Sequence, residues 1–326
     1  MGHRVVFYGE PSGVRTQRAV ELVPGDLDFG VVDPELPADR KRELLADAEA
    51  LVTNGLLIST DMVSHMPRLK LLQVMSAGFD TLDVKSIREM GVEVCNNSEA
   101  ISNSVAEHAV ALMLMVYKRL SQGLDGARRG TWQGPAKSGP HGRLYELSGR
   151  TVGIVGLGHI GSKVAKRLQG FETTTLYADV RDIPAQAEQD LKVQRVSMDE
   201  LLERSDVVTV HVPLSRTTRG LFSTPQFKAM RNEAIFINTC RGPVQDEAAL
   251  IRALQDGDIA AAGLDVTEIE PTPLDNPLLK MDNVIVTPHL AGSSQERVDR
   301  AIVFSFENAR RVLDGQKPLS PVQLID

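Results

Sequence analysis

Three residues in the second half of the chain have types that suit acid–base chemistry on an anion. Each follows a short apolar run. Arg241 comes directly after AIFINTC (234–240), Glu270 lies a few residues beyond IAAAGLDV (259–266), and His289 comes directly after NVIVTP (283–288). A guanidinium binds a carboxylate through two parallel hydrogen bonds and keeps its charge at any working pH. An imidazole can give and take one proton per turnover, and a carboxylate beside it stabilises the charged form. Each residue also has a plainer reading. Arg241 could make a surface salt bridge, His289 could be a satisfied structural histidine, and Glu270 stands in a loop that also holds Glu268 and Pro271. No two of the three are neighbours in sequence, so only the fold can gather them.

A second motif supplies a reason for them to gather. GLGHIG (156–161) is a G-x-G-x-x-G preceded by the strand-like TVGIV (151–155) and followed by the helix-like SKVAKRLQGF (162–171). Such triplets occur by chance, and the flanking strand and helix are what raise this one. Asp179 follows Gly161 by 18 residues, at the end of the run TTLYA. That order is what a dinucleotide site requires. Gly156 permits a tight turn, Gly158 lets the backbone approach a pyrophosphate, and Gly161 lets helix and strand pack closely. The helix N-terminus offers free N–H groups and a partial positive charge. A carboxylate at position 179 accepts hydrogen bonds from ribose hydroxyls and repels a 2′-phosphate, so the expected cofactor is NAD rather than NADP. Arg181, two residues on, could soften that preference.

The elements that must position these residues form two α/β series. RVVFYG, EALVTN, LKLLQVMS and VEVCNN are strand-like in the first hundred residues, with helix-like stretches such as PADRKRELLADA between them. Strands alternating with helices imply parallel sheets. Residues 101–120 have a long helical pattern, with Ser104 and Glu107 at capping-box spacing near its start. Its apolar residues cover more than one face, so it is buried on more than one side, either inside one subunit or against a second. His108 on this helix fits a structural role better than a catalytic one. The Gly-, Pro- and Arg-rich stretch 126–143 reads as a loop, after which six further strand-like runs suggest a complete doubly wound sheet. Residues 293–315 form a last amphipathic helix, long enough to return to the first domain.

Bulk properties narrow the class. The chain of 326 residues is long enough for two domains, and its net charge of −7 argues against nucleic acid as the main partner. Two cysteines, Cys95 and Cys240, make no disulfide framework and no zinc-site spacing, which fits a reduced, cytoplasmic setting. MGHRVVFYGE enters a strand-like run without signal-peptide character, and neither a metal nor a membrane span is expected.

Taken together, the ordered segments resemble the D-isomer-specific 2-hydroxyacid dehydrogenases. The segments that carry the resemblance are SAGFD (76–80), SVAEHAVALML (104–114), RRGTW (128–132), GLGHIG with Asp179, HVPLSRTTRGL (211–221), INTCRGPVQDEAAL (237–250), AAGLDVTEIEP (261–271) and TPHLAG (287–292). The resemblance implies two Rossmann-like domains with an active-site cleft between them. Residues 1–100 with 293–326 would bind substrate, and 101–292 would bind NAD. It implies that Arg241 holds the substrate carboxylate, that His289 is the general acid or base, and that Glu270 pairs with it. Backbone amides at Ser76, Ala77 and Gly78 would reach the carboxylate as well. Cofactor contacts would come from His159 and Ile160 within the glycine loop, from His211, Val212, Pro213 and Thr218, from Thr239, Cys240 and Arg241, and from Asp265, His289 and Gly292. Cys240 is then a small residue beside the cofactor, since hydride transfer needs no covalent intermediate and no base stands next to it in sequence.

The activity so implied is the NAD-dependent interconversion of a 2-oxo acid and a D-2-hydroxy acid by a cytoplasmic homodimer. Phosphite dehydrogenases keep the same Arg/Glu/His set, and some relatives are NAD-sensing corepressors; these are the alternatives. Apolar residues near the carboxylate turn, Leu56, Leu57, Met75 and Phe79, tilt towards an uncharged substrate side chain. Arg128, Arg129 and Trp132 would reverse the tilt if they approach the site.

Overall fold

The computed structural model describes residues 2–53, 58–131 and 143–323. Leu56, Leu57 and Trp132 therefore lie outside the described residues. The chain divides into two compact units, Met1–Ile101 with Ser293–Asp326 (unit 1) and Ser102–Gly292 (unit 2).

Unit 1 is built on β1 (Arg4–Tyr8), β2 (Asp28–Val32), β3 (Ala50–Thr53), β4 (Leu71–Val74) and β5 (Glu93–Cys95), in the order β2-β1-β3-β4-β5 and parallel throughout. The sheet carries apolar clusters on its two faces, because alternate residues of each strand point to opposite sides. Leu51 and Leu72 join one cluster, and Ala50, Val52 and Leu71 the other. The second cluster is completed by Ala301, Ile302 and Phe306 of the terminal helix α12 (Gln295–Leu313) and by Ala19 of α1 (Val14–Leu22). The terminal helix thus packs on the sheet of unit 1.

Unit 2 holds a seven-stranded parallel sheet: β6 (Thr151–Val155), β7 (Thr174–Ala178), β8 (Val193–Arg195), β9 (Val207–Val210), β10 (Ile235–Asn238), β11 (Ala261–Leu264) and β12 (Val284–Val286), in the order β12-β11-β10-β9-β6-β7-β8. The chain leaves β6 towards β7 and β8, then returns to the other side at β9. The order therefore reverses between β6 and β9, the place where such sheets bind ligands at their carboxyl ends. On one face lie Phe222, Phe227 and Phe236, with ring centroids 4.9 to 6.0 Å apart. On the other lies α5 (Ser98–Lys118) with α7 (His159–Leu168).

Three local expectations need correction. The capping-box pair Ser104 and Glu107 does not start α5, which begins six residues earlier at Ser98; both lie inside the helix, and Glu107 instead pairs with Arg167 at 2.7 Å. The segment from 126 is not loop from its first residue, because α6 (Leu120–Arg128) runs through it. Two strands escaped the pattern, β2 (DFGVV) and β8 (VQR). Both are edge strands, and β8 has two exposed residues in three, so neither shows a continuous apolar run. By length and composition α5 could cross a bilayer, but 61% of its most apolar window is buried in the protein, where it serves as a core helix of unit 2.

Candidate active site

Strand register lines up the site residues of unit 2. Ala178, Val155, Val210, Asn238, Leu264 and Val286 are partners in series across β7, β6, β9, β10, β11 and β12. One residue further along each strand stand Asp179, Gly156, His211, Thr239, Asp265 and Thr287. The chemistry-bearing positions found in separate motifs thus form one row along the carboxyl edge of one sheet.

The glycine loop has the geometry its spacing implied. Gly156 holds φ +91°, and a Cβ there would lie 2.6 Å from the His211 carbonyl oxygen. A Cβ on Gly161 would lie 2.1 Å from the Gly156 carbonyl oxygen, so α7 can sit on this turn only without a side chain. At Gly158, the N-cap of α7, the nearest atom to a Cβ would be Nη2 of Arg181 at 3.4 Å, which leaves backbone room for a ligand. Asp179 closes the loop from the neighbouring strand: its Oδ2 accepts from Leu157 N and its Oδ1 from Arg181 N, both at 2.8 Å. His159 is exposed, and Ile160 packs on the apolar cluster beneath. A bare helix N-terminus, open backbone at Gly158 and a fixed carboxylate fit a dinucleotide.

Next along the row, His211 is buried, its Nε2 lies 2.9 Å from Thr209 Oγ1, and its Nδ1 has no partner. Burial pushes its pKa down to about 3, so the ring is neutral. Val212 stands against Gly156, and Thr218 ties the following turn by donating from Oγ1 to the Pro213 carbonyl at 2.6 Å. Thr239 Oγ1 is likewise buried without a partner. Two orphaned polar atoms in this row of strand ends fit a polar ligand. Cys240 donates to Asn238 Oδ1 from both N and Sγ, and burial pushes the thiol up to about 11. It is a poor nucleophile.

Arg241 follows in extended conformation, with Nη1 donating to the Cys240 carbonyl at 2.8 Å. The chain must then turn at Gly242 for a steric reason invisible in sequence. A Cβ there would lie 1.8 Å from the Thr267 carbonyl oxygen, so the segments after β10 and β11 touch backbone to backbone. That contact fixes Arg241 relative to the loop that carries Glu270.

His289 and Glu270 meet. Nδ1 of the imidazole lies 2.6 Å from Oε2 of the carboxylate, and Glu270 Oε1 accepts from Thr267 N at 3.2 Å. Asp265 anchors the histidine loop. Its side chain is 1% exposed, and its oxygens accept from Thr287 Oγ1 at 2.6 Å, Leu290 N at 3.0 Å and Ala291 N at 2.8 Å. His108 completes this cluster from α5, with Nε2 2.9 Å from Thr287 Oγ1 and 3.4 Å from Asp265 Oδ1. Burial lowers the His108 pKa, and the Asp265 charge opposes the shift. Thr287 and His108 were not marked as site residues by their sequence context; the TPH spacing, which puts a hydroxyl two residues before the histidine, was the available signal. Gly292 lies beyond this anchor, where an added Cβ would come no nearer than 4.0 Å to Val105, so there is no steric demand for glycine.

Ser76, Ala77 and Gly78 belong to unit 1, directly after β4 and Met75. Their three carbonyls accept from Asn97 N, Asn96 Nδ2 and Ser76 Oγ respectively. The N–H groups of Ser76, Ala77 and Gly78 have no acceptors among the described residues.

Comparisons with known proteins agree with this geometry. Residues 110–291 match the family model described as D-isomer specific 2-hydroxyacid dehydrogenase, NAD binding domain. A glyoxylate reductase of Korarchaeum cryptofilum is 35% identical over 311 residues, 93% of this chain and 91% of that protein. Among solved structures, a glyoxylate reductase from Paecilomyes thermophila superposes with a TM-score of 0.84 at 26% identity, covering 98% of each chain. The apo D-mandelate dehydrogenase of Rhodotorula graminis superposes with a TM-score of 0.83 at 29% identity, covering 100% of this chain and 99% of that one. The matched segment is the unit whose strand ends carry the glycine loop, the arginine and the Glu–His pair, and the chain accordingly belongs to the D-isomer-specific 2-hydroxyacid dehydrogenases, a family of NAD-dependent oxidoreductases.

Proposed function

We propose that the protein reduces a small 2-oxo acid to the D-2-hydroxy acid, and runs the reverse reaction, with His289 as the acid–base group. The observation that carries this reading is the 2.6 Å contact of His289 Nδ1 with Glu270, in loops that follow β12 and β11 of the sheet that carries the glycine loop. When bound, NADH supplies the hydride that goes to substrate C2. The glycine loop from Gly156 to Gly161 would hold its pyrophosphate and Asp179 its adenosine ribose, with His211, Thr239 and Asp265 as further contacts.

Because Glu270 accepts at Nδ1, that nitrogen carries a proton, and Nε2 is the one that exchanges with substrate. Nε2 protonates the carbonyl oxygen as C2 is reduced, and Glu270 keeps the ring oriented while its charge changes. Arg241 binds the substrate carboxylate and orients the carbonyl towards His289. The N–H groups of Ser76, Ala77 and Gly78 in unit 1 offer donors to a substrate carboxylate. The similarity to glyoxylate reductases and to glyoxylate/hydroxypyruvate reductases makes glyoxylate and hydroxypyruvate the first acids to try. The protein acts as a homodimer through the α5–α6 segment, where Leu120 and Leu124 are 43% and 55% exposed.

The test is NADH consumption with glyoxylate, hydroxypyruvate, pyruvate, 2-oxoisocaproate and phenylpyruvate, with NADPH in parallel. Turnover on one or more acids supports the reading. Silence on all of them, with NADH binding intact, refutes it. A sedimentation mass of one chain refutes the dimer.

A further inference from the structure

Unit 1 contains a buried cation that none of its described residues neutralises. Arg297 lies in the first turn of α12 and is only 6% exposed. Its Nη2 donates to the Met75 carbonyl at 3.1 Å, and its Nε is buried with no acceptor. Charged side chains are almost never this buried unless paired, because removing a charge from water is costly. No carboxylate pairs with Arg297 among the described residues. The groups that act on it are burial and the charge of Arg15, which together push it down to about 10.

The placement of Arg15 compounds the mismatch. Arg15 is in the first turn of α1, whose N-cap, Gly13, makes no side-chain cap and whose first turn holds no acid. The positive end of a helix dipole disfavours cations, and here two such ends each carry an arginine. The two helices are laced together one turn further on, where Arg18 donates to both oxygens of Asp299 at 2.7 and 2.9 Å. That pair consumes the nearby acid. Glu296, next to Arg297, faces solvent, and Glu10 accepts from Ser12.

The location points to a ligand. Met75, the guanidinium's acceptor, is the residue before the Ser76–Gly78 turn. Arg15 follows β1, and the strand order of unit 1 reverses between β1 and β3, where parallel sheets take ligands. A second buried polar atom sits alongside: Asn97 Oδ1 has no partner, while Asn97 Nδ2 donates to the carbonyl of Ala301, one turn along α12 from Arg297.

We propose that Arg297, with Arg15 beside it, forms a subsite for a second anionic group on the 2-oxo acid, a carboxylate or phosphate borne by the substrate's side chain. The proposal rests on the reading that the Ser76–Gly78 turn takes the first carboxylate. It reverses the tilt towards uncharged side chains suggested by the apolar residues near that turn.

The experiment compares singly charged acids (glyoxylate, 2-oxobutyrate) with acids bearing a second anion, either carboxylate (oxaloacetate, 2-oxoglutarate) or phosphate (3-phosphohydroxypyruvate). The variants are wild type, Arg297→Met, Arg297→Lys and Arg15→Gln. Wild type is expected to favour at least one doubly anionic acid in kcat/KM, and the arm that wins names the anion. Arg297→Met should lose about tenfold or more on that acid beyond any loss on 2-oxobutyrate, mainly through KM, as expected for a charge-assisted hydrogen bond. Arg297→Lys should recover part of the loss, and Arg15→Gln should show a smaller one. In thermal unfolding without substrate, Arg297→Met should melt no lower than wild type, since it removes an uncompensated buried charge. Equal losses on both classes of acid together with a lowered Tm would make Arg297 a structural residue and overturn the proposal. Turnover of singly charged acids with no preference for a second anion would overturn the subsite alone. Absence of turnover on every 2-oxo acid would overturn the proposed function and the subsite with it.

Discussion

His289 holds φ +49° while its Nδ1 lies 2.6 Å from Glu270 Oε2. A left-handed backbone is uncommon for any residue with a side chain, and it persists only where the surroundings enforce it. The enforcement is visible. Asp265 accepts from the two backbone N–H groups that follow His289 and, through its own carbonyl, from His289 N at 2.9 Å. The imidazole is therefore aimed from two sides, by the backbone through Asp265 and by the ring through Glu270. His289→Ala should lower kcat by roughly 10²–10⁴-fold, the usual worth of a general acid. Glu270→Gln keeps an acceptor without the charge and should fall less than Glu270→Ala. Near-normal rates for His289→Ala with 2-oxo acid and NADH would refute the assignment.

The Gly242 contact gives a stability prediction with its own control. A Cβ 1.8 Å from the Thr267 carbonyl cannot be relieved by a side-chain rotation, because both partners are backbone. Gly242→Ala should cost at least the ~3 kcal/mol at the upper end of overpacking, and should depress activity by shifting Arg241. Gly170→Ala meets nothing within 4 Å and should be close to neutral. Urea unfolding of the two variants decides the matter, and similar midpoints would show that the β10 and β11 loops can part.

What was legible in the sequence was whatever a local segment encodes by itself. GLGHIG announces its turn because Gly156 and Gly161 are demanded by atoms of the same strand–helix unit and its neighbour. Arg241 and His289 could be placed at strand ends because β10 and β12 are apolar runs with clear stops. The edge strands β2 and β8 carry no such signal. Ser104 and Glu107 imitated a helix start because two residues three apart on a helix face match the motif wherever they fall. The anchoring of His289 by Asp265, Thr287 and His108 joins residues 22 to 179 positions apart, and no spacing rule encodes it. The demand for glycine at 242 arises from Thr267, 25 residues away, on a different strand's loop.

Asp179 accepts from Leu157 N and Arg181 N at once, so it shapes the glycine loop as well as the ribose end of the proposed NAD site. Asp179→Ala should raise the KM for NADH and remove the repulsion of a 2′-phosphate, leaving Arg181 to attract it. The NADPH/NADH ratio of kcat/KM should rise at least about tenfold, since juxtaposed like charges cost several kcal/mol. Asp179→Ala with Arg181→Ala should lose most of that gain. An unchanged ratio in Asp179→Ala would mean that discrimination lies elsewhere.

Two buried histidines make stability depend on pH with a definite sign. His211 and His108 are both held below the ordinary histidine range by burial, His211 at about 3. In the unfolded chain each takes up a proton near pH ~6.5. Below that pH the unfolded state binds more protons than the native state, so stability falls as pH falls. The contribution is fully present above the unfolded value and, for His211, continues to be lost until the native value is reached. His211 should cost about 2 kcal/mol between pH 6.5 and pH 5, and His108 acts in the same direction. His211→Gln keeps a hydrogen-bonding group near Thr209 but cannot titrate. Its urea midpoint should therefore drop less than that of wild type between pH 8 and pH 5, by an amount equivalent to about 2 kcal/mol. His108→Asn should flatten the same profile independently. If both variants track wild type across this range, the histidines do not stay neutral in the folded protein, and the neutral ring assigned to His211 at the head of the cofactor row is wrong.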